Sequence, residues 1–142
     1  MTFKKNIKTH MILSAGLSAL LGTTTLSAQQ RTEVAEVPFT FHAQQQTLPA
    51  GEYQVTEGNS SSLFQLTGPE GKSIWVSAPL LETTDPQKPH LTFTRYGGEY
   101  VLSAISMPGT DIGHAVSQSA IDKNLTHKMD IAAMVSVRLK AR

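Results

Sequence analysis

The chain has 142 residues, no cysteine, 12 Lys and Arg against 11 Asp and Glu, and a formal net charge of +1. The absence of cysteine excludes a disulfide, a thiol nucleophile, a Cys-ligated metal and the lipid-modified cysteine of a bacterial lipoprotein. The near-balanced charge lacks the basic stripe that nucleic acid demands, so no nucleic-acid partner is expected.

Residues 1–28 read as a signal peptide. Lys4, Lys5 and Lys8 open the chain without an acid, and an apolar core from Met11 to Leu21 follows, ending in small residues. That core is short of the roughly 20 residues a membrane-spanning helix needs. Its basic start and small-residue end place cleavage after Ala28, with no transmembrane segment in the mature chain. Export to a periplasmic or extracellular space follows, and the cysteine-free composition favours a bacterial periplasm. The sequons at Asn59 and Asn124 are then chance matches.

The remaining residues, 29–142, are the length of a single β-rich domain. Their charge is uneven: residues 29–122 hold 4 basic and 10 acidic groups, whereas residues 123–142 hold 5 basic groups and Asp130. A basic end of this kind can touch an anionic surface, but diluted by apolar residues it reads first as a solvated strand face.

Period-two alternation runs through most of the domain and predicts half-buried strands. In "EVAEVPFTF" Ala35, Val37, Phe39 and Phe41 share a face, and Pro38 predicts an edge strand or a bulge, because proline cannot donate to a ladder. "TLPAGEY" reads as a turn between strands: Pro49 suits the second turn position and Gly51 the fourth. Tyr53 and Val55, Phe64 and Leu66, and Ile74, Val76 and Ala78 then form inward faces. "GNSSS" is a polar hairpin turn, and "TDPQKP" at 84–89 is a loop. "HLTFTRYGGEYVLSAISM" is a hairpin about Gly97-Gly98, expected to hold positive φ at both centres, so that Gly98→Val would strain the fold. Ser119 and Asp122 have the spacing of a capping box and predict one short helix. The last strand places Met129, Ile131, Ala133, Val135, Val137 and Leu139 on one face. The expected fold is all-β, an antiparallel sandwich or small barrel of about seven strands with that one helix.

No motif assigns catalysis. His42, His90, His114 and His127 lack the paired spacing of a metal site, so no metal and no cofactor is expected. "DIGH" sets Asp111 near His114, which suits a general base, but its ordinary reading is a solvated loop in which His114→Ala changes little. No serine lies in a nucleophile elbow. The aromatics give the best lead: Trp75 and Tyr100 fall in phase away from the alternating core, and with Phe93 they form the candidate ligand-binding set. The competing reading is that these rings are packed by a sheet covered on both sides.

"VPFTF", "TLPAGEYQV", "LTFTRYGGEYVLSAI" and the Ser119–Asp122 box together resemble a family of small exported proteins from acidobacterial and other soil bacteria. The resemblance covers roughly residues 34 to 125 and implies an exported β-domain with no assigned activity and no catalytic residue to carry over. "SAISMPGTDIGH" departs from the family pattern by lacking an aromatic. The expected function is a non-enzymatic binding or structural module of the cell envelope, partnered by an envelope protein. The alternatives are a carrier of a small apolar ligand, with Trp75, Tyr100 and Phe93 lining a cavity, and a hydrolase using dispersed acids and His114.

Overall fold

The computed structural model describes residues 30–82, 88–109, 112–117, 123 and 131–142. The signal peptide read at 1–28, most of the loop read at 84–89, Asp111 and the helix read at Ser119 to Asp122 lie outside these residues.

The fold is all-β. Its strands are β1 (Thr32–Val37), β2 (Phe41–Ala43), β3 (Gln46–Leu48), β4 (Gly51–Glu57), β5 (Leu63–Thr67), β6 (Ser73–Ser77), β7 (Leu80–Glu82), β8 (His90–Tyr96), β9 (Glu99–Ser106), β10 (Ile112–Ala115) and β11 (Ile131–Ala141). A 3-10 turn, Pro69–Gly71, joins β5 to β6. The described residues form eleven strands in place of the seven expected, because β2, β3, β7 and β10 are only three or four residues long, too short to show a period.

One sheet runs in the order β3-β2-β9-β8-β11-β1-β4-β5-β6, with β10 attached to β9 and β7 attached to β10. Every pairing is antiparallel except the single β2–β9 bridge at His42 and Val101. The sheet curls into a half-barrel, so that Val37, Tyr53, Phe64 and Val76 from one half meet Phe41, Phe93 and Ile105 from the other in one core. The expected inward faces of β4, β5 and β6 are all buried as read. On β11, Leu139 is buried and Val137 packs against the core, while Ser136, Arg138 and Lys140 face out.

Three local expectations are corrected. Pro38 marks neither an edge strand nor a bulge: β1 is flanked by β4 and β11 and ends at Val37, so the proline lies outside any ladder. It separates β1 from β2, and what reads as one strand is two, in different parts of the sheet. In the β8–β9 turn only Gly97 has positive φ, +61°, which is the pattern of a type II′ turn. Gly98 has open space where a Cβ would stand, so Gly98→Val meets neither strain nor clash.

The third correction concerns β9. Thr92 faces Ala104 but Phe93 faces Leu102, leaving Ser103 as the extra residue of a bulge. Its hydroxyl donates to Thr92 O at 3.0 Å, and its carbonyl accepts from Val116 N at 2.9 Å. The bulge reverses the alternation. Leu102 joins the core below it, Tyr100 follows on the inner side, and Val101 turns to the opposite face with Thr94.

Candidate functional site

The three expected ligand-binding residues do not converge. Phe93 is fully buried and packs edge-on to Phe39 and Phe41, at 5.0 Å between centroids in both cases. Tyr100 stacks on Phe39 at 3.9 Å, with Arg95 lying 5.8 Å from its ring centre. These two therefore share Phe39 as part of the packing at one end of the core. Trp75 is on β6, at the far end of the sheet path, and 52% exposed on its outer face. The indole sits against the backbone of Gly58, where an added Cβ would come within 3.0 Å of it.

What the fold assembles instead is a groove between the two end strands of the path, β3 and β6. It encloses about 540 Å³ and is lined by Thr47 and Leu48 on one side, Ser73 and Ile74 on the other, and the rings of Tyr53 and Pro69. The "TLPAGEY" stretch builds its wall. The Tyr53 hydroxyl donates to Pro49 O at 2.5 Å, four residues back, which fixes the corner between β3 and β4 in the manner of a tyrosine corner. Gly51, at φ +154°, presses on Pro69, where a Cβ would lie 2.4 Å from the ring Cγ. The corner is a turn, as read, and it is also one side of a site.

The polar groups of the two end strands face outward. Gln44 and Gln45 form a two-residue turn with φ of 48° and 67°, the type I′ pattern, so Ala43 and Gln46 close the hairpin as a hydrogen-bonded pair. Thr47, the next residue, belongs to a non-bonded pair with His42, and its backbone N–H and C=O point away from β2. On β6, the bonds Ala78 N to Ser62 O and Gly68 N to Lys72 O, both 2.8 Å, set the phase of the ladder. Ser73, Trp75 and Ser77 are then the residues whose backbone groups point away from β5. The Ser77 carbonyl accepts from Ser117 N at 2.9 Å, and no described residue pairs with the outward groups of Ser73 or Trp75.

Beside the groove, Thr47 also joins a side-chain chain that spacing along the sequence conceals. His42 Nε2 lies 2.6 Å from Glu99 Oε2, and its Nδ1 lies 3.1 Å from Thr47 Oγ1. A carboxylate only accepts, so Nε2 donates to Glu99, and in the neutral ring Nδ1 accepts from the threonine hydroxyl. Carboxylate, imidazole and hydroxyl stand in the order of an acid–base–nucleophile relay. The three come from β9, β2 and β3, and no signal along the chain links them.

No family model, curated protein or solved structure matches the chain.

His114 is not in a solvated loop. It lies on β10 and is 5% exposed, with Nδ1 donating to Ala78 O at 3.1 Å and its ring edge-on to Phe64 at 4.7 Å. It is a core histidine. Glu33 is likewise buried, on the inward face of β1 that also carries Ala35 and Val37. The basic end of the chain meets acids of its own sheet. Arg138 and Lys140 line one outer hollow with Glu36 and Glu52, and Arg142 Nη1 donates to Gln54 Oε1 at 3.1 Å. Among the described residues no group of three His, Asp or Glu could hold a metal, and no helix is long and apolar enough to cross a membrane.

Proposed function

We propose that this is an exported, non-enzymatic binding module of the cell envelope, and that the groove between β3 and β6 is where it takes a partner protein. A sheet end whose backbone donors and acceptors are unpaired is a template for another chain unless it is blocked. Here two ends whose outward groups no described residue pairs, at Thr47 of β3 and at Ser73 and Trp75 of β6, border the same groove, and that observation carries the reading. A strained two-residue turn, Gln44-Gln45, holds β3 in place, and strain kept in a fold is a pointer to a working site. The carrier alternative draws less support: Phe93 has no surface to offer a ligand, and Trp75 is remote from it in the sheet order.

The test is site-selective photo-crosslinking in the host, with the reactive residue at position 46 in the groove or at the 71%-exposed Met134 as control. A single polypeptide adduct from position 46 alone supports the reading. Equal labelling from both positions, or none, rejects it.

The Glu99–His42–Thr47 chain favours a second reading, a hydrolase, with His42 as the base in place of the expected His114 and Thr47 as the nucleophile. Thr47 Oγ1 would attack the acyl carbon of an ester while its proton passes to His42 Nδ1. The ester C–O bond then breaks, the alcohol leaves with that proton, and water attacks the acyl-threonine to release the acid and restore the hydroxyl. Hydrolysis of 4-nitrophenyl acetate that disappears in His42→Ala and Thr47→Val would establish it. Equal rates in all three proteins would remove it.

A further inference from the structure

We infer that the occupant of the groove is an extended segment of a partner polypeptide that adds as a strand, bonded through its backbone to β6 and reaching toward β3. This inference rests on the binding-module reading above and adds to it the mode of recognition.

Strand addition needs backbone groups that point away from their own sheet, spaced two residues apart, with side-chain contacts alternating on either side. β6 provides these at Ser73 and Trp75, and across the groove β3 offers the outward pair of Thr47. The Ser117 N–H on Ser77 O already shows this edge accepting a bond from a neighbouring segment, and the incoming strand continues that line toward Ser73. Its inward side chains meet Leu48, Tyr53 and Ile74, which line the groove and are buried or nearly so, and are therefore apolar. Its outward side chains stand beside Thr47 and the exposed indole of Trp75, where a β-branched or aromatic neighbour gains most. β6 itself contains no proline and no charged residue, and the charges beside it, Glu70 and Lys72 at the start of the strand, pair with each other. The ligand class is an alternating apolar/polar peptide in extended form, read mainly through its backbone.

The chain contains a single tryptophan, at the edge itself, so the edge reports on its own occupancy. The probe is a blocked heptapeptide, Lys-Thr-Val-Thr-Val-Thr-Lys, and its twin N-methylated at alternate residues, titrated into the protein isolated from its host. The expected result is a blue shift of Trp75 emission with the first peptide and none with the twin. Amide exchange at Thr47, Ser73 and Trp75 should slow at least tenfold with the first peptide. Ser73→Pro removes one outward N–H at the first position of an edge strand, where proline is tolerated, and should weaken binding severalfold. Binding to the groove without slower exchange at these amides overturns strand addition and leaves the module reading standing. No perturbation of any groove residue by either peptide removes both. Slower exchange that depends on protein concentration alone, without peptide, makes a second copy the occupant and overturns the inference.

Discussion

Gly68 lies flat against the ring of Tyr53: a Cβ added at Gly68 would fall 2.5 Å from Tyr53 Cε1. Tyr53 is itself buried and tethered to Pro49 O, so the ring cannot withdraw without undoing the corner. Gly68→Ala should therefore cost on the order of 1 to 3 kcal/mol, the usual result of overpacking. Urea unfolding reads this directly, and a midpoint equal to wild type would mean the ring has room to move. Gly71→Ala is the comparison in the same turn, where no atom lies within 4 Å and only the φ of +73° is at stake.

Tyr53→Phe keeps the ring against Gly68 and removes only the hydroxyl. Loss of its part-buried hydrogen bond to the Pro49 carbonyl should cost about 1 kcal/mol. The substitution also predicts a pH effect. Burial raises the Tyr53 pKa above 10.0, so the folded state keeps the proton to higher pH than the unfolded chain does. The resulting stability is complete below pH 10 and is lost as pH rises through the folded value. Wild type should thus lose stability above that pH more steeply than Tyr53→Phe. Parallel curves in alkaline unfolding would refute the assignment.

How far the sequence reveals this molecule depends on strand length. Tyr53/Val55, Phe64/Leu66 and Ile74/Val76 lie in strands of five to seven residues, long enough for alternation to show, and all are buried as their pattern predicts. Alternation fails where the backbone breaks phase. The extra residue Ser103 turns Tyr100 toward the main core and Val101 to the opposite face of the sheet, where it is also buried, and a bulge formed by an ordinary serine leaves no mark in composition. Glu33 fails differently: it is in phase with Ala35 and Val37 and is buried with them, although its chemistry argues for the outside. The groove and the Glu99 end of the His42 chain are long-range facts: His42 and Thr47 pair across a local hairpin, but Glu99 reaches His42 only through sheet order.

The β2–β3 hairpin shows the same blindness at a turn. "AQQQTL" contains none of the Asn-Gly or Asp-Gly pairs that announce a type I′ turn, yet Gln44 and Gln45 take φ of 48° and 67°. Gln44 is held in part by its side-chain amide, which donates to Ser117 O at 3.1 Å, whereas Gln45 has no side-chain bond to a described residue. Gln45→Gly should relieve the left-handed strain and stabilise the fold by roughly 0.5 to 1 kcal/mol, net of the extra freedom glycine gives the unfolded chain. A lower melting temperature would show that the turn stores no strain.

His114 gives the sharpest reversal of expectation. Read from "DIGH" it stands in solvent, and its removal should leave stability unchanged. In the fold its ring packs on Phe64 and its Nδ1–H satisfies Ala78 O, at the junction that carries the chain from β6 toward β7. His114→Ala therefore removes buried ring contacts and orphans a carbonyl together, at a cost of about 2 to 4 kcal/mol by chemical denaturation. The two contributions separate with a second variant. His114→Asn retains a donor that can reach Ala78 O but not the ring, and should recover about 1 kcal/mol of the loss. Were both variants as stable as wild type, β10 would not be packed against β5 through this ring, and the placement of the 112–117 segment over the core would be wrong.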